Sequence, residues 1–452
     1  MKRVLLLGAG LRGLDIYGQW MASHQEFVRV SGVADPNRIR RTKAARLFDL
    51  TEDQLYSTAD ELLDQRIPAD YAFICTQDQL HTSIAVKAME IGYDIILEKP
   101  IGVTEEECLT VYKTAKRLDR RVHLCHVLRY TGFFGAIKKS IDEGMIGDII
   151  HIEQSEHISY WHFAHSYVRG NWNREEDSSP IIIAKCCHDL DIINWLLPER
   201  ISTVASTGVL SWYRGEHAPE GAPKFCLDGC PHSETCSWYA PRLYMRALPL
   251  ISGFRYSSNR FLSFAGNVIL RFPRLTGRIF SKIKALSYLS EWDMWPSTAI
   301  TDDLSREGKL KALESGSYGR CVFRCDNDVP DHQVVMMQTS SGVTATLTLE
   351  GHSYLEGRWV RINGSRGTLE GRFTLADETL TYFDHFQGKR QLLWEDKNPV
   401  TGHGGGDMRL MESLFMNSRR DSDSTLEELL QSYRIGFAAE RARKTHSIAV
   451  IE

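Results

Sequence analysis

Residues 3–13 read RVLLLGAGLRG, and this stretch decides the fold of the first part of the chain. An apolar run leads into Gly8, Gly10 and Gly13, which have the G-x-G-x-x-G spacing, and an amphipathic segment follows. The spacing is informative here because it lies between a buried strand and a helix. Gly8 permits a tight turn, Gly10 lets a pyrophosphate approach the backbone, and Gly13 lets the helix pack closely on the strand. The sequence therefore predicts a dinucleotide site at a helix N-terminus.

An acidic residue supports this interpretation. Asp35 ends the second predicted strand, where its carboxylate would accept hydrogen bonds from the adenosine ribose. A carboxylate there repels a 2′-phosphate, so the sequence favours NAD, while Arg38, Arg40 and Arg41 nearby leave NADP open.

Strand and helix patterns alternate over roughly the first 125 residues, which predicts a doubly wound parallel sheet of the Rossmann type. The second half shows alternating, half-polar strands and a few helices, which predicts an α+β domain with an open, mostly antiparallel sheet. We predict domains at 1–127 and 128–452. An insertion at about 212–330, rich in aromatic residues, arginine, proline and cysteine, interrupts the second domain.

Composition narrows the function classes. The chain has 452 residues, 42% of them hydrophobic and 25% charged, which is the range of soluble globular proteins. A net charge of −4 argues against a nucleic-acid partner. No apolar run is long enough to predict a transmembrane segment. Ten cysteines without a secretion signal predict reduced thiols and a cytoplasmic protein.

The segment YAFICTQDQLHTSIAVKAMEIGYDIILEKP (71–100) resembles the glucose–fructose oxidoreductase/inositol dehydrogenase (Gfo/Idh/MocA) family. Matches at 128–130, 144–149, 362–371 and 403–407 extend the resemblance over nearly the whole chain except the insertion. It implies a bound NAD(P), hydride exchange with a carbon of a sugar, cyclitol or related polyol, and a homo-oligomer. The expected cofactor-binding residues are Gly8, Gly10, Leu11, Arg12, Gly13, Asp35, Thr76, His81, Glu98 and Lys99.

The resemblance also implies that Lys99 and His188 face the reacting carbon. Removing hydride from a secondary alcohol requires a base for the hydroxyl proton, and a nearby ammonium stabilises the developing alkoxide. His188 lies in SPIIIAKCCHDLDIINWLL (179–197), where we predict a helix over 183–197. On such a helix Lys185 and His188 share one face.

One position departs from the family pattern. Dehydrogenases of the family usually carry an Asp four residues before the His, and here that position is Ala184, followed by Lys185. Lys185 places a second cation near Lys99. Two ammonium groups in one dry pocket lower the pKa of one of them, so one of these two lysines is predicted to act as a neutral base, with Lys185 as a candidate catalytic residue. A plain salt bridge between Lys185 and Asp189 is the alternative.

This departure opens a second enzymatic hypothesis. Some members of the family use NAD transiently to oxidise, eliminate, hydrate and reduce a glycoside, so that the net reaction is hydrolysis. Such a reaction requires a further acid–base group. The candidate substrate residues are His162, His165, Arg169, Trp172 and His403. A third hypothesis, of another class, is a nucleotide-binding sensor without turnover.

The insertion contains three cysteines in a short loop. Cys226, Cys230 and Cys236 are spaced C-x3-C-x5-C, and Cys321 and Cys325 follow later. Clustered thiols predict a structural zinc site, with an iron–sulfur cluster as a second option. Reduced, unliganded cysteines are the alternative.

Overall fold

The computed structural model describes residues 1–246, 251, 254–256, 260–271, 292–397, 403–416 and 425–451. Parts of the predicted insertion, among them 272–291, lie outside the described residues. Within the described ranges, no helix is both long and apolar enough to cross a bilayer.

The first sheet has six parallel strands in the order β3-β2-β1-β4-β5-β6. Its strands are β1 Lys2–Leu7, β2 Val28–Ala34, β3 Leu55–Tyr56, β4 Tyr71–Ile74, β5 Asp94–Leu97 and β6 Val122–Leu124. The order reverses at β1 and β4, so the ends of these strands border the crevice where nucleotides bind in such sheets. The predicted parallel Rossmann sheet is confirmed.

Helices connect and cover these strands. A wide, π-type helical segment at Leu11–Gly18 leads into α1, and the helices are α1 Gln19–Ser23, α2 Arg38–Phe48, α3 Ala59–Asp64, α4 His81–Ile91 and α5 Glu105–Leu118. Local sequence defines the ends of α5. Thr104 accepts a hydrogen bond from the Glu107 amide, three glutamates occupy the first turn, and Lys116 and Arg117 occupy the last.

The second sheet has nine strands in the order β14-β13-β12-β11-β7-β10-β9-β8-β15, and only β7 and β10 pair in parallel. The strands are β7 Ile149–Ser159, β8 Ile201–Val209, β9 His332–Thr339, β10 Thr344–Ser353, β11 Gly357–Gly364, β12 Gly367–Thr374, β13 Glu378–Asp384, β14 Arg390–Asp396 and β15 Ile448–Val450. This confirms the predicted open, mostly antiparallel sheet. The division at residues 127 and 128 stays a prediction.

Helices of the second half cover one face of this sheet and extend into the insertion. They are α6 Gly132–Asp142, α7 Tyr160–Phe163, α8 Ile181–Ala184, α9 Cys187–Leu196, α10 Ala240–Tyr244, α11 Arg260–Arg271, α12 Arg306–Ser315, α13 Gly406–Phe415 and α14 Leu426–Thr445. A capping box between Thr425 and Glu428 begins α14, which packs on β8, α9 and α5.

The predicted single helix over 183–197 is wrong in one respect. It is divided into α8 and α9 by a turn at Lys185 and Cys186. The amide of Lys185 closes the last turn of α8 on Ile181, whereas the amides of Asp189 and Leu190 bond to Cys186 and begin α9. Lys185 and His188 therefore do not share one helical face.

Candidate active site

The glycine turn has the geometry that the sequence predicts. Gly8 has φ +100°, and a Cβ added there would lie 2.4 Å from the Cys75 oxygen. A Cβ on Gly13 would lie 2.0 Å from the Gly8 oxygen, so the turn and its helix pack too closely for a side chain. A Cβ on Gly10 would meet only the Arg40 guanidinium, at 3.7 Å. Space is therefore kept open beside Gly10, where a phosphate would approach.

Two polar groups beside this turn also fit a dinucleotide. The Asp35 carboxylate accepts hydrogen bonds from the amides of Ala9 and Asn37, both at 2.8 Å, and so ties the turn to the end of β2. A carboxylate has about four acceptor positions, so ribose hydroxyls can still bind. Thr76 Oγ1 is buried without a hydrogen-bond partner. Buried polar groups are normally paired, so this orphan hydroxyl indicates a missing partner.

Arg12 is directed into the protein. Its guanidinium donates to Glu98 Oε1 at 2.6 Å and to Asp407 Oδ1 at 2.7 Å, and it also contacts the Tyr17 hydroxyl. Burial favours the protonated form of Glu98, but Arg12, Tyr17 and Lys99 together more than offset this, so the pKa of Glu98 is lowered. This buried cluster joins the glycine turn, the end of β5 and the start of α13. Leu11, in contrast, is exposed.

The His81 ring connects two turns. Nδ1 lies 2.7 Å from the Pro100 oxygen and Nε2 lies 3.2 Å from the Thr76 oxygen, and the side chain is buried. Both ring nitrogens therefore face backbone oxygens. The structure assigns His81 to positioning Thr76 and the Glu98-Lys99-Pro100 turn.

Lys99 follows the carboxyl end of β5 and reaches across to the second domain. Its ammonium donates to the Ala184 oxygen at 2.8 Å, and its amide donates to Glu98 Oε2 at 3.0 Å. The buried end of α8 thus sets the position of the ammonium.

His188 lies in a group of three histidine rings close to Lys99. Its ring centroid is 5.4 Å from that of His126 and 5.6 Å from that of His403. Burial holds the pKa of His188 well below its usual range, and the adjoining His126 ring and Lys99 ammonium add to this effect. The imidazole is therefore neutral near pH 7, and its Nδ1 has no hydrogen-bond partner. His403 Nδ1 lies 3.2 Å from Asp407 Oδ2, to which it donates.

The structure does not support Lys185 as the predicted neutral lysine. The Lys185 ammonium lies 3.1 Å from Glu156 Oε1 and 3.5 Å from Glu356 Oε1. Burial by itself lowers the pKa of Lys185, but the two glutamates more than offset it and raise that pKa. The alternative salt bridge to Asp189 is wrong too, because Asp189 pairs with Arg358 at 2.8 Å. Lys185 is therefore a charged, paired residue.

The predicted substrate residues fall into two groups. His162, Trp172 and His403 stay partly exposed. Both Glu356 oxygens lie 2.8 Å from His162 Nδ1, and Trp172 Nε1 donates to Asp78 of the first domain at 2.9 Å.

His165 and Arg169 are buried against the insertion. His165 Nδ1 lies 3.1 Å from the Tyr244 hydroxyl, and its ring stacks on Tyr318. Arg169 donates to the backbone oxygens of Arg320 and Trp238, at 2.7 and 2.8 Å. These protein partners occupy both side chains, so the prediction that they bind substrate does not fit the structure.

Glu156, Glu356 and Arg358 were not predicted as site residues from the sequence, although the pattern of β7 contains a signal for one of them. Gln154 and Glu156 are in phase with Ile152 and Ile158 on the buried side of that strand. An acidic residue in such a position requires a charged partner. Arg358 Nη2 lies 2.7 Å from Glu156 Oε2 and provides one.

The predicted zinc site is not preformed. In the part of the chain that the structure describes, no group of three or more His, Cys, Asp or Glu side chains is arranged to hold a metal ion. Cys226, Cys230 and Cys236 all have free thiols.

Comparison with known proteins agrees with the fold. The NAD-binding Rossmann model of the Gfo/Idh/MocA oxidoreductase family matches residues 2–126, and the family's C-terminal alpha/beta model matches residues 138–237. YteT of Bacillus subtilis, named as an oxidoreductase, is 24% identical over 100% of this chain and 95% of its own length. An alpha-N-acetylgalactosaminidase of Bacteroides fragilis is 26% identical over 34% of this chain and 37% of its own length.

A solved structure shares the architecture. Scyllo-inositol dehydrogenase from Lactobacillus casei, with bound NAD(H) and scyllo-inositol, has a TM-score of 0.61 at 15% identity, and the match covers 100% of this chain and 99% of that chain. At this identity the likeness shows the fold. The matches over both halves, together with the glycine turn and the Glu98-Lys99-Pro100 turn, show that this chain belongs to the Gfo/Idh/MocA family of NAD-binding oxidoreductases.

Proposed function

We propose that the chain catalyses NAD(P)-dependent hydride transfer to or from a hydroxyl-bearing carbon of a sugar, cyclitol or related polyol. The observation that carries this proposal is the position of the Lys99 ammonium close to a neutral His188. Both groups lie near the carboxyl ends of the parallel strands, where nucleotides bind in this architecture.

The residues around the glycine turn would hold the cofactor. Gly8, Gly10 and Gly13 admit the pyrophosphate, Asp35 accepts the ribose hydroxyls, and Thr76 Oγ1 is an unpaired group available to it. Bound NAD supplies the hydride acceptor or donor. The Asp35 carboxylate favours NAD, with NADP as the second option.

Lys99 and His188 would handle the substrate hydroxyl. One proton of the Lys99 ammonium is committed to the Ala184 oxygen, which leaves two N–H donors for a substrate oxygen. Their positive charge stabilises an alkoxide as it forms. Neutral His188 can accept the hydroxyl proton, because it is not protonated near pH 7.

A specific contact favours a second candidate function, NAD-assisted cleavage of a glycoside. This route requires a further acid–base group for the proton next to a transient ketone. Glu356 holds His162 through Nδ1, which leaves Nε2 for proton exchange, and the His162 side chain is 16% exposed. Likeness to a protein named alpha-N-acetylgalactosaminidase supports this option.

Cofactor balance distinguishes the candidates. The purified chain with NAD would be incubated with cyclitols, aldoses and aryl glycosides, and both NADH and released aglycone would be measured. The proposed function predicts NADH in proportion to substrate oxidised. Aglycone release without net NADH would favour the glycosidase route. Binding of NAD with neither product across the panel would favour a sensor.

We further propose a homo-oligomer that forms through the uncovered face of the second sheet, in a cytoplasmic protein. A cavity of about 510 Å³ lies on this face, lined by residues of β7, β11, β12 and β13 such as Glu153, Trp359, Arg361 and Phe383. Light scattering of the wild type and of Trp359→Glu would test this, and a monomeric wild type would contradict it.

A further inference from the structure

A small cavity in the insertion is lined by residues that the proposed hydride transfer does not use. It measures about 20 Å³ and lies where residues 219–239 and 319–325 meet the helical turn Ala164–Arg169. The cavity is lined by four cysteines, Cys226, Cys230, Cys236 and Cys321. Arg169 and His232 also line it, together with apolar residues.

Backbone pairing brings two of these thiols together from distant parts of the sequence. The Cys226 amide bonds to the Gly319 oxygen and the Cys321 amide bonds to the Lys224 oxygen, both at 2.9 Å. Cys230 and Cys236 are placed near them by the turn that follows Cys226. The Cys236 amide closes that turn by bonding to the His232 oxygen at 2.8 Å.

The buried charge of Arg169 is a second, independent observation, and it indicates that a negatively charged group belongs in this cavity. The residue is only 3% exposed, and its hydrogen-bond partners among the described residues include no acidic side chain. Nε and Nη2 donate to backbone oxygens, and Nη2 also lies 3.7 Å from Cys226 Sγ. Nη1 is buried without a partner. An uncompensated buried cation is costly, and neutral thiols do not compensate it.

We propose that Cys226, Cys230, Cys236 and Cys321 bind one Zn²⁺ ion as thiolates, and that Arg169 compensates the resulting negative charge. Four thiols lose four protons and one ion enters, so the centre carries a charge of −2 and no redox step occurs. Four thiolates saturate a tetrahedral ion, which makes the site structural. Among the described residues these side chains do not converge on one point, so binding would require the cysteines to rotate about χ1 to reach Zn–S distances of about 2.3 Å.

The bound ion would fix the insertion against the helical segment that carries His162 and His165, which borders the candidate active site. Arg169 ends the same helical segment that carries His165, and His162 lies one turn earlier. The Trp295 ring of the insertion packs edge-on against His162 and His165, at centroid distances of 4.8 and 5.4 Å. Loss of the ion would loosen this wall.

Elemental analysis of the full chain, purified after expression with zinc and iron, tests the proposal. We expect one equivalent of zinc in the wild type and in Cys325→Ser, whose cysteine does not line the cavity. Cys226→Ser and Cys321→Ser should lose most of it. Arg169→Gln should keep the site with affinity lowered about tenfold, as for residues that support ligands.

A second measurement uses only the wild type, so it is informative even if the cysteine variants fail to fold. The wild type would be stripped with a chelator and reloaded with Co²⁺, whose charge-transfer and visible bands report tetrahedral thiolate ligation. Chelation should also lower the melting temperature. A wild type without zinc that also shows no cobalt–thiolate bands would overturn the proposal. So would stoichiometric iron with acid-labile sulfide, or zinc retained by Cys321→Ser.

Discussion

The ammonium of Lys99 donates a hydrogen bond to the backbone oxygen of Ala184, 2.8 Å away, and so joins the end of β5 to the end of α8. A backbone acceptor holds the ammonium without neutralising it. The charge is therefore kept for the substrate, and the two domains must be correctly docked for the ammonium to be in place.

Replacement of Lys99 tests this arrangement. Lys99→Met should lower kcat by about 10²–10⁴-fold, because it removes a polar group from the reacting oxygen. NAD affinity should change little, since the glycine turn is unaffected. Steady-state kinetics and calorimetric NAD titration measure the two effects. Full activity in Lys99→Met would contradict the assigned role, and Lys87→Met, on an exposed ion pair, is the matched control.

The glycine turn provides a matched pair of variants. Gly10→Ala adds a methyl group in open space, so the fold should be unchanged while NAD binding weakens by at least about tenfold. Gly13→Ala places its methyl group 2.0 Å from the Gly8 oxygen and should cost more than about 3 kcal/mol of stability. Urea unfolding and NAD titration separate these outcomes. Unchanged NAD affinity in Gly10→Ala would show that the cofactor does not approach there.

The charge state of Lys185 has a consequence for stability. Lys185→Met leaves the fully buried Glu156 with Arg358 as its remaining cation. Burial already raises the pKa of Glu156 to about 7, so this carboxyl can take up a proton, and the variant should lose about 1–3 kcal/mol of stability. The double variant Lys185→Met/Glu156→Gln should recover part of this loss, because the unpaired charge is removed. Urea unfolding measures both. A Lys185→Met protein as stable as the wild type would contradict the ion pair.

Buried His165 makes stability depend on pH. Burial lowers the pKa of His165 to about 3, whereas the unfolded chain has the usual value near 6.5. Between these values only the unfolded state binds the proton. The free energy of unfolding therefore includes the full contribution of neutral, buried His165 above pH 6.5. This contribution is lost as the pH falls towards 3, and the loss is about 2 kcal/mol at pH 5. His165→Gln should lose correspondingly less stability than the wild type between pH 7 and pH 5, as measured by urea unfolding.

Sequence patterns predicted the first domain well because its information is local. Continuous apolar strands, amphipathic helices and the spacing of Gly8, Gly10 and Gly13 each follow from neighbouring residues. The ion-pair network around Lys185 was not predictable in this way. Its partners Glu156 and Glu356 come from β7 and from the residue before β11, and sheet register brings them together. His165 and Arg169 resembled sugar-binding residues by type, but the insertion that covers them lacks a periodic pattern.

The contact between Arg12 and Asp407 spans 395 positions in the sequence. During synthesis on the ribosome, the first strands emerge long before α13 exists, so Arg12 can pair with Glu98 but not with Asp407. Domains generally fold as units while translation proceeds. The nucleotide turn of a nascent chain therefore acquires its last ionic partner only when nearly all of the polypeptide has been made.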